Sequence, residues 1–257
     1  MGQYYRAVNV DKQVFATLDG AKLMEFSWVH NKSVAALVAL MAGEWKGDRV
    51  YIVGDYADSG EFEDKNWRKS YDAVARELGF FGKTRKGEDG AEYETTLYGF
   101  AGNNFKEIFL CKWDWRPQDK PIENLDALSE EGLKMRYVIN DDLGVYIDLQ
   151  HCPADNISYW KDEDRAVVWR VHPMTLLLAM GNGRGGGDYN RGFNREAVGA
   201  WTASSNAIRF AKEGEEAKLE GLKEYAPYFA ENETPTPWQE IDAKVAEVLA
   251  KGRAKKA

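Results

Sequence analysis

The chain has 257 residues, of which 44% are hydrophobic, and a formal net charge of −8. A chain of this length can bury a large core without help from disulfides or metals. An acidic chain binds nucleic acid poorly unless it carries a local basic patch, so the charge disfavours duplex DNA as a partner. No run approaches the roughly 20 apolar residues that span a bilayer, and we expect no membrane partner.

Cysteine usage and the N-terminal sequence indicate the cell compartment. The two cysteines, Cys111 and Cys152, are far apart and show no CxxC spacing. They predict neither a disulfide framework nor a structural zinc site. The opening residues MGQYYRAVNVDKQ lack the apolar stretch of a signal peptide. We therefore expect a cytoplasmic protein.

Two parts of the sequence resemble each other in three successive segments. The first segment of each part has two short alternating strands around a polar turn. The second starts as an apolar strand-like run, passes a histidine and enters a short apolar helix that ends at glycine. The third leads into another strand. The matching segments are residues 4–18 and 135–149, 28–45 and 169–183, and 43–53 and 199–210.

The fold class that follows is α+β, with a mixed or mainly antiparallel sheet. Two pseudo-repeats of hairpin, strand, helix and strand would form one domain over residues 1–210. Its related halves are residues 1–58 and 135–210, with a helical insertion at 59–134. Residues 211–257 form a charged segment followed by a C-terminal amphipathic helix.

Three further elements follow from local patterns. Residues 66–79 have the apolar spacing of an amphipathic helix that ends at glycine. The stretch FKEIFLCKWDW, residues 105–115, is rich in aromatic and β-branched residues and predicts a strand. Near the C-terminus, Thr236 as N-cap and Gly252 past the end frame a helix. We expect that helix to dock on this domain or, alternatively, on a partner.

The most unusual stretch is GNGRGGGDYNRGFNR, residues 181–195. Its letters match GxGxxG, but a dinucleotide-binding loop follows a strand and opens a helix, and this stretch does neither. Consecutive glycines let backbone N–H groups form a nest for an anion, and arginines bind phosphate bidentately. The same sequence is also typical of a glycine-rich loop that binds no ligand and whose arginines pair with nearby acidic residues.

We therefore predict a phosphorylated, nucleotide-like small molecule as the ligand. Arg184 would be the main anion contact, and His172 and Asp188 are candidate catalytic groups. The sequence specifies no reaction and no cofactor. The predicted ligand-binding residues are Gly181, Asn182, Gly183, Arg184, Gly185, Gly186, Gly187, Asp188, Tyr189, Arg191 and Arg195.

Two other groups of residues are weaker candidates. An acidic run follows a predicted strand and includes Asp55 and Asp58, whose carboxylates are the type of ligand that Mg²⁺ or Ca²⁺ prefers. The run lacks the EF-hand order, so we expect a solvated loop and no metal. The histidines His30 and His172 occupy matching positions in the two halves, with His151 nearby, but such histidines are more often structural.

Two alternative functions come from other classes of protein. Nine tryptophans and thirteen tyrosines, with the C-terminal helix, would suit a protein-interaction or assembly module that can also self-associate. The RGGGDYNRGF letters are also similar to the arginine-glycine segments of proteins that bind single-stranded RNA.

The segments MGQYYRAVN, GDRVYIVGDYAD and HPMTLLLAMGNGRGGGDY together resemble a family of uncharacterised bacterial and phage proteins that begin Met-Gly-Gln-Tyr-Tyr. The resemblance spans most of residues 1–210, and GNGRGGGDY is its most specific part. It implies no activity. It does imply that residues 181–189 are functional and that the protein works in a bacterial or phage cytoplasm.

Overall fold

The structure is a computed structural model that describes residues 3–57, 67–86, 90–110, 125–152, 154–161, 164–181, 197–225 and 240–255. Its strands are β1 (Tyr4–Asn9), β2 (Val14–Lys22), β3 (Val50–Gly54), β4 (Thr84–Lys86), β5 (Glu92–Glu94), β6 (Lys106–Phe109), β7 (Met135–Asn140), β8 (Val145–Asp148), β9 (Ala154–Trp160), β10 (Arg165–Arg170), β11 (Ala179–Met180), β12 (Ile208–Lys212) and β13 (Lys223–Glu224). Its α-helices are α1 (Leu23–Phe26), α2 (Lys32–Ala42), α3 (Arg68–Glu77), α4 (Leu97–Asn104), α5 (Leu125–Gly132), α6 (Pro173–Leu177) and α7 (Ile241–Ala254).

Two sheets repeat the same arrangement of strands. The first has the spatial order β11-β3-β1-β2-β6 and the second has the order β12-β7-β8-β13. In each, a hairpin pairs antiparallel with a later strand on one side and parallel with a short strand on the other. The fold is therefore α+β with mixed and antiparallel sheets. This shared order supports the two-copy organisation, which stays a prediction.

A fully buried asparagine closes the turn in each of these hairpins. The side-chain oxygen of Asn9 accepts a hydrogen bond from the backbone N–H of Lys12 at 3.0 Å. The side-chain oxygen of Asn140 accepts one from Leu143 at 3.2 Å. A buried amide is costly unless it is hydrogen-bonded, so these bonds fix where each turn begins.

The two predicted halves, residues 1–58 and 135–210, meet along a short antiparallel contact. Trp28 and Val171 form an isolated β-bridge, and the backbone N–H of Val29 donates to the carbonyl of Arg170 at 2.9 Å. The strand-like run expected to begin at Trp28 is thus reduced to one bridge. The matching run in the second half is a full strand, β10, which pairs with β9.

Helix α2 lies in the core between the two sheets. Nine of its eleven residues, from Ser33 to Met41, are buried. Six of these nine residues belong to one core cluster with Leu18 and Ile52 of the first sheet and with Val138 and Ile147 of the second. Burial of apolar side chains from both sheets around one helix stabilises them together.

Two helix boundaries differ from the sequence prediction. The apolar stretch after His172 forms α6 only as far as Leu177, and Ala179–Met180 then forms β11 instead of more helix, since it pairs in parallel with β3. At the C-terminus, Gly252 was expected beyond the helix end. It lies inside α7 and is buried, because the helix approaches the ring of Tyr159 so closely that no side chain fits there.

Helix α7 docks on the β9–β10 hairpin of its own chain. Besides the contact of Gly252 with Tyr159, the Arg253 guanidinium forms an ion pair with Asp164 at 3.2 Å. The expected cap at Thr236 lies outside the described residues. Within the described part of the chain, no helix is long and apolar enough to cross a bilayer.

Candidate functional site: a basic cleft beside the second sheet

The glycine-rich stretch begins where two parallel strands end. Gly181 follows β11, and Gly54 ends the neighbouring strand β3. A Cβ on Gly181 would overlap the Tyr5 hydroxyl, which donates to the side-chain oxygen of Gln3 at 3.0 Å. Close packing therefore explains a glycine at this position. The other predicted ligand-binding residues, Asn182 to Tyr189 with Arg191 and Arg195, lie outside the described residues, as does the candidate catalytic residue Asp188.

His172 has a structural role in the described fold. Its side chain is buried, and its Nδ1 accepts a hydrogen bond from the backbone N–H of Met174 at 3.3 Å, which caps α6. Burial lowers the pKa of the imidazole to about 3, so the ring is neutral. The matching His30 lies elsewhere, edge-on to Trp169 with ring centroids 4.7 Å apart.

The weak metal candidates do not form a site within the described residues. The carboxylate of Asp55 accepts a hydrogen bond from the backbone N–H of Tyr4 at 3.1 Å, and burial raises its pKa. Asp58 lies outside the described residues. No group of three His, Cys, Asp or Glu side chains suited to a metal occurs in the described part of the chain.

A cleft of about 810 Å³ lies between the second sheet, the end of β10 and the start of α7. We call it the basic cleft. Its apolar lining residues are Val29, Leu133, Met135, Leu149 and Ile241, and its charged lining residues are Lys134, Arg136, Arg170, Lys212, Glu213 and Asp242, with His151 beside them. Neither Gly181 nor His172 lines it.

A buried carboxylate organises one wall of the basic cleft. The Asp148 side chain, only 5% exposed, accepts hydrogen bonds from Nε and Nη2 of Arg136 at 3.2 and 2.8 Å. It also accepts one from the backbone N–H of Gln150 at 2.9 Å. The Asp148 carboxylate raises the pKa of Arg136. Because β7 pairs with β8, this ion pair crosses the hairpin and fixes the turn at residues 148–152.

The same turn presents a histidine to the basic cleft. Nδ1 of His151 lies 2.6 Å from Oε1 of Glu224. Glu224 reaches this position because β13 pairs in parallel with β8, and the backbone N–H of Tyr225 donates to the carbonyl of Tyr146 at 2.7 Å. The imidazole is therefore held by a carboxylate from a segment more than 70 residues further along the chain.

Arg170 ties the end of β10 to the turn. Its Nη1 donates to the backbone carbonyl of Cys152, whose own thiol is buried and not in a disulfide. The carbonyl of Arg170 accepts from Val29, so the residue is held at the junction of the two halves. A guanidinium carries five N–H donors in one plane, which allows it to bind a backbone oxygen and a ligand anion at once.

Two lysines share one carboxylate at the opposite rim. Lys134 forms an ion pair with Glu131 at 3.0 Å, and Lys212 pairs with the same side chain. Hydrogen bonds from Lys212 and Lys134 lower the pKa of Glu131. Glu131 thus holds both ammonium groups at this rim.

Sequence reasoning noted His151 but missed its partners. Asp148 is an acidic residue at the end of an otherwise apolar strand, and this local signal could have marked it as a buried ion-pair partner. No local signal marks Glu224 or Arg170, since Glu224 reaches His151, and Arg170 reaches the cleft, through backbone pairing with distant segments.

No protein-family model, curated protein or solved structure matches this chain.

Proposed function

We propose that the protein binds a phosphorylated, nucleotide-like small molecule in the basic cleft. The supporting observation is the convergence of Lys134, Arg136, Arg170 and Lys212 on one cleft of a chain whose net charge is −8. Glu213 and Asp242 are the acids in the same lining, so cations outnumber acids there. Guanidinium and ammonium groups gathered in one cleft attract an anionic ligand.

The size and the lining of the cleft suit a ligand with an apolar ring and an anionic group. Small-molecule sites measure about 300–1,000 Å³ and combine apolar walls with a few polar anchors. Val29, Leu149 and Ile241 offer the apolar wall. Arg170 is the best-placed phosphate anchor, because the turn at 148–152 and the junction of the halves both hold it.

Thermal unfolding with a panel of mono-, di- and cyclic nucleotides and inorganic pyrophosphate tests the proposal. A ligand at 100 times its dissociation constant adds about 2.7 kcal/mol, or roughly 5–10 °C for a chain of this size. The shift should be lost in Arg170→Gln. The shift should remain in the control variant Arg209→Gln, which removes an arginine of the second sheet from its surface ion pair with Asp141.

A third variant, Arg184→Ala, separates the cleft from the glycine-rich loop. We expect this variant to bind like the wild type. If Arg184→Ala alone abolishes the shift, the ligand binds at the loop, and if no compound shifts the wild type, the proposed function is wrong. We also propose a cytoplasmic location, which the low cysteine content of the chain supports.

A protein-interaction role is the second candidate, and one surface favours it. Trp160 is 36% exposed, and Trp28 and Trp169 lie edge-to-face at 5.3 Å beside it. Helix α7 is already docked on its own chain, so the tryptophans are the better partner surface. Light scattering of the wild type and Trp160→Ser tests this role, since the variant of an assembly module should have a smaller molar mass in solution.

A role in binding single-stranded RNA is the remaining alternative. The affinity for a short RNA would then fall steeply as the salt concentration rises.

A further inference from the structure

The β9–β10 hairpin has an open edge along β9. This strand is seven residues long, and among the strands that the structure describes it pairs with β10 and with no other. Every second residue of such an edge directs its N–H and C=O away from the sheet, which makes the edge a template for another strand. Charged residues and proline commonly protect edges, but the stretch from Ile157 to Trp160 contains neither.

The two faces of β9 have different neighbours. The ring of Tyr159 packs against Gly252 of α7. The next side chain, Trp160, lies on the opposite face beside Trp169, with ring centroids 6.2 Å apart. Because side chains alternate along a strand, Ile157 lies on the same face as Tyr159. The α7 face of the open edge therefore presents one β-branched and one aromatic side chain.

A groove of about 480 Å³ runs between α7 and β9. Its described lining contains no residue of β10, so the groove lies on the side of the helix that faces the open edge. A strand added to β9 would place its alternate side chains in such a groove. The lining residues are Tyr159 and Lys161 from the end of β9 and Val248, Lys251, Gly252 and Lys255 from α7.

The sequence of β9 is complementary to itself in one antiparallel register. If two copies pair around Ser158, Ile157 of one copy faces Tyr159 of the other, and Lys161 faces position 155, which is an aspartate. Cross-strand pairs of aromatic with β-branched residues and of opposite charges both stabilise a sheet. The neighbouring register, centred on Ile157, would instead set Tyr159 opposite Asp155. The register around Ser158 is therefore the favoured one.

We propose that the protein forms a symmetric dimer in which β9 of one copy pairs antiparallel with β9 of a second copy around Ser158. The two hairpins then join into one four-stranded sheet with both α7 helices on the same face. Ile157 of each copy enters the groove beside Tyr159 of the other. A two-fold pairing uses the open edge of both copies, so the assembly closes at two chains. This inference does not depend on the basic cleft.

Light scattering of the full-length protein over a range of concentrations tests the proposal. We expect twice the mass of one chain, with dissociation on dilution. Lys161→Asp sets like charges opposite each other in both symmetric pairs and should raise the Kd of the dimer about tenfold or more. Asp155→Lys should do the same, and the double variant should restore the wild-type Kd. Lys69→Asp, at an exposed lysine of α3, is the matched control and should leave the Kd unchanged.

Hydrogen exchange tests the backbone pairing itself. The amides of Ala154–Trp160 that point away from β10 should exchange more slowly at concentrations where the dimer forms than in the dilute monomer. Contact between side chains elsewhere on the surface would not protect these amides. A dimer in which exchange over Ala154–Trp160 is the same as in the monomer overturns the proposal.

The remaining outcomes are equally decisive. A chain that is still monomeric at about 1 mM overturns the proposal. A dimer whose Kd is unchanged in both Lys161→Asp and Asp155→Lys also overturns it, and a mass that falls only in Trp160→Ser shows association through the opposite face. A double variant that does not restore the Kd overturns the register. Thermal unfolding of each variant shows whether it is folded.

Discussion

The backbone N–H of His172 donates to the carbonyl of Ser27 at 2.8 Å, and this bond joins the segment that leads into α2 to the segment that leads into α6. Both residues are buried. The His172 imidazole caps α6 in the same place, so one residue anchors both a helix start and the junction of the halves.

This burial predicts a stability that depends on pH. The pKa of His172 is about 3 in the folded protein and about 6.5 in an unfolded chain. Below pH 6.5 the unfolded state takes up a proton that the folded state does not, so stability falls as the pH drops from 6.5 toward 3. The expected slope from this residue is about 1.4 kcal/mol per pH unit.

The variant His172→Asn isolates that contribution. Asparagine is a good N-cap residue and does not titrate in this range. Urea unfolding at several pH values between 4 and 7 gives the slope of the unfolding free energy against pH. We expect this slope to be smaller in the variant by the contribution of about one proton. Parallel curves for the two proteins would show that the pKa of His172 is the same in the folded and the unfolded protein, which would contradict its burial as a neutral ring.

Helix α7 should be displaced by a side chain at Gly252. A Cβ there overlaps the ring of Tyr159, so Gly252→Leu cannot seat the helix on the β9–β10 hairpin. We expect faster hydrogen exchange over Ile241–Ala254. The control is Ala250→Leu, which adds the same side chain at an exposed position of the helix and should leave exchange unchanged. Equal exchange in all three proteins would argue against this docking.

The close packing of α2 against α5 should make stability sensitive to a single added methyl group at Gly132. A Cβ on Gly132 overlaps the backbone carbonyl of Ala35, which cannot rotate away. Gly132→Ala should cost about 1–3 kcal/mol of unfolding free energy, as overpacking does. Glu130→Ala, on the exposed side of α5, is the control for urea unfolding. A Gly132→Ala variant as stable as the wild type would contradict this close approach.

The two arginine–aspartate pairs of the second sheet should differ in their effect on stability. Asp148 is 5% exposed, and Asp148→Asn leaves the Arg136 charge without this carboxylate. We expect the free energy of unfolding to fall by about 2–4 kcal/mol, less than for a fully buried pair because water reaches the guanidinium. The pair of Arg209 with Asp141 is more exposed, and Arg209→Gln should cost under about 1 kcal/mol. Equal losses in urea unfolding would count against the organising role of Asp148.

Local patterns predicted the elements that form from local interactions. Alternating residues around a polar turn gave both hairpins, and the apolar spacing near Tyr71 gave α3. They failed where distant strands decide the structure. Ala179–Met180 forms a strand only because β3 lies beside it, and a two-residue strand such as β13 has no periodicity to detect.

The candidate site was harder to predict for the same reason. The cleft combines Arg170 with the turn that carries His151, and Glu224 holds that histidine from outside the lining. Only pairing between strands brings these residues together. The composition of the glycine-rich stretch predicted a ligand-binding loop. At Gly181, the one residue of this stretch that the structure describes, close contact with Tyr5 accounts for the glycine.

Hydrogen exchange with and without the nucleotide that gives the largest thermal shift tests the location of the ligand most directly. The account predicts slower exchange at the backbone amides of residues 148–152 and 223–225, which form the wall around His151. Slower exchange confined to residues 181–197, or no change anywhere, would contradict it.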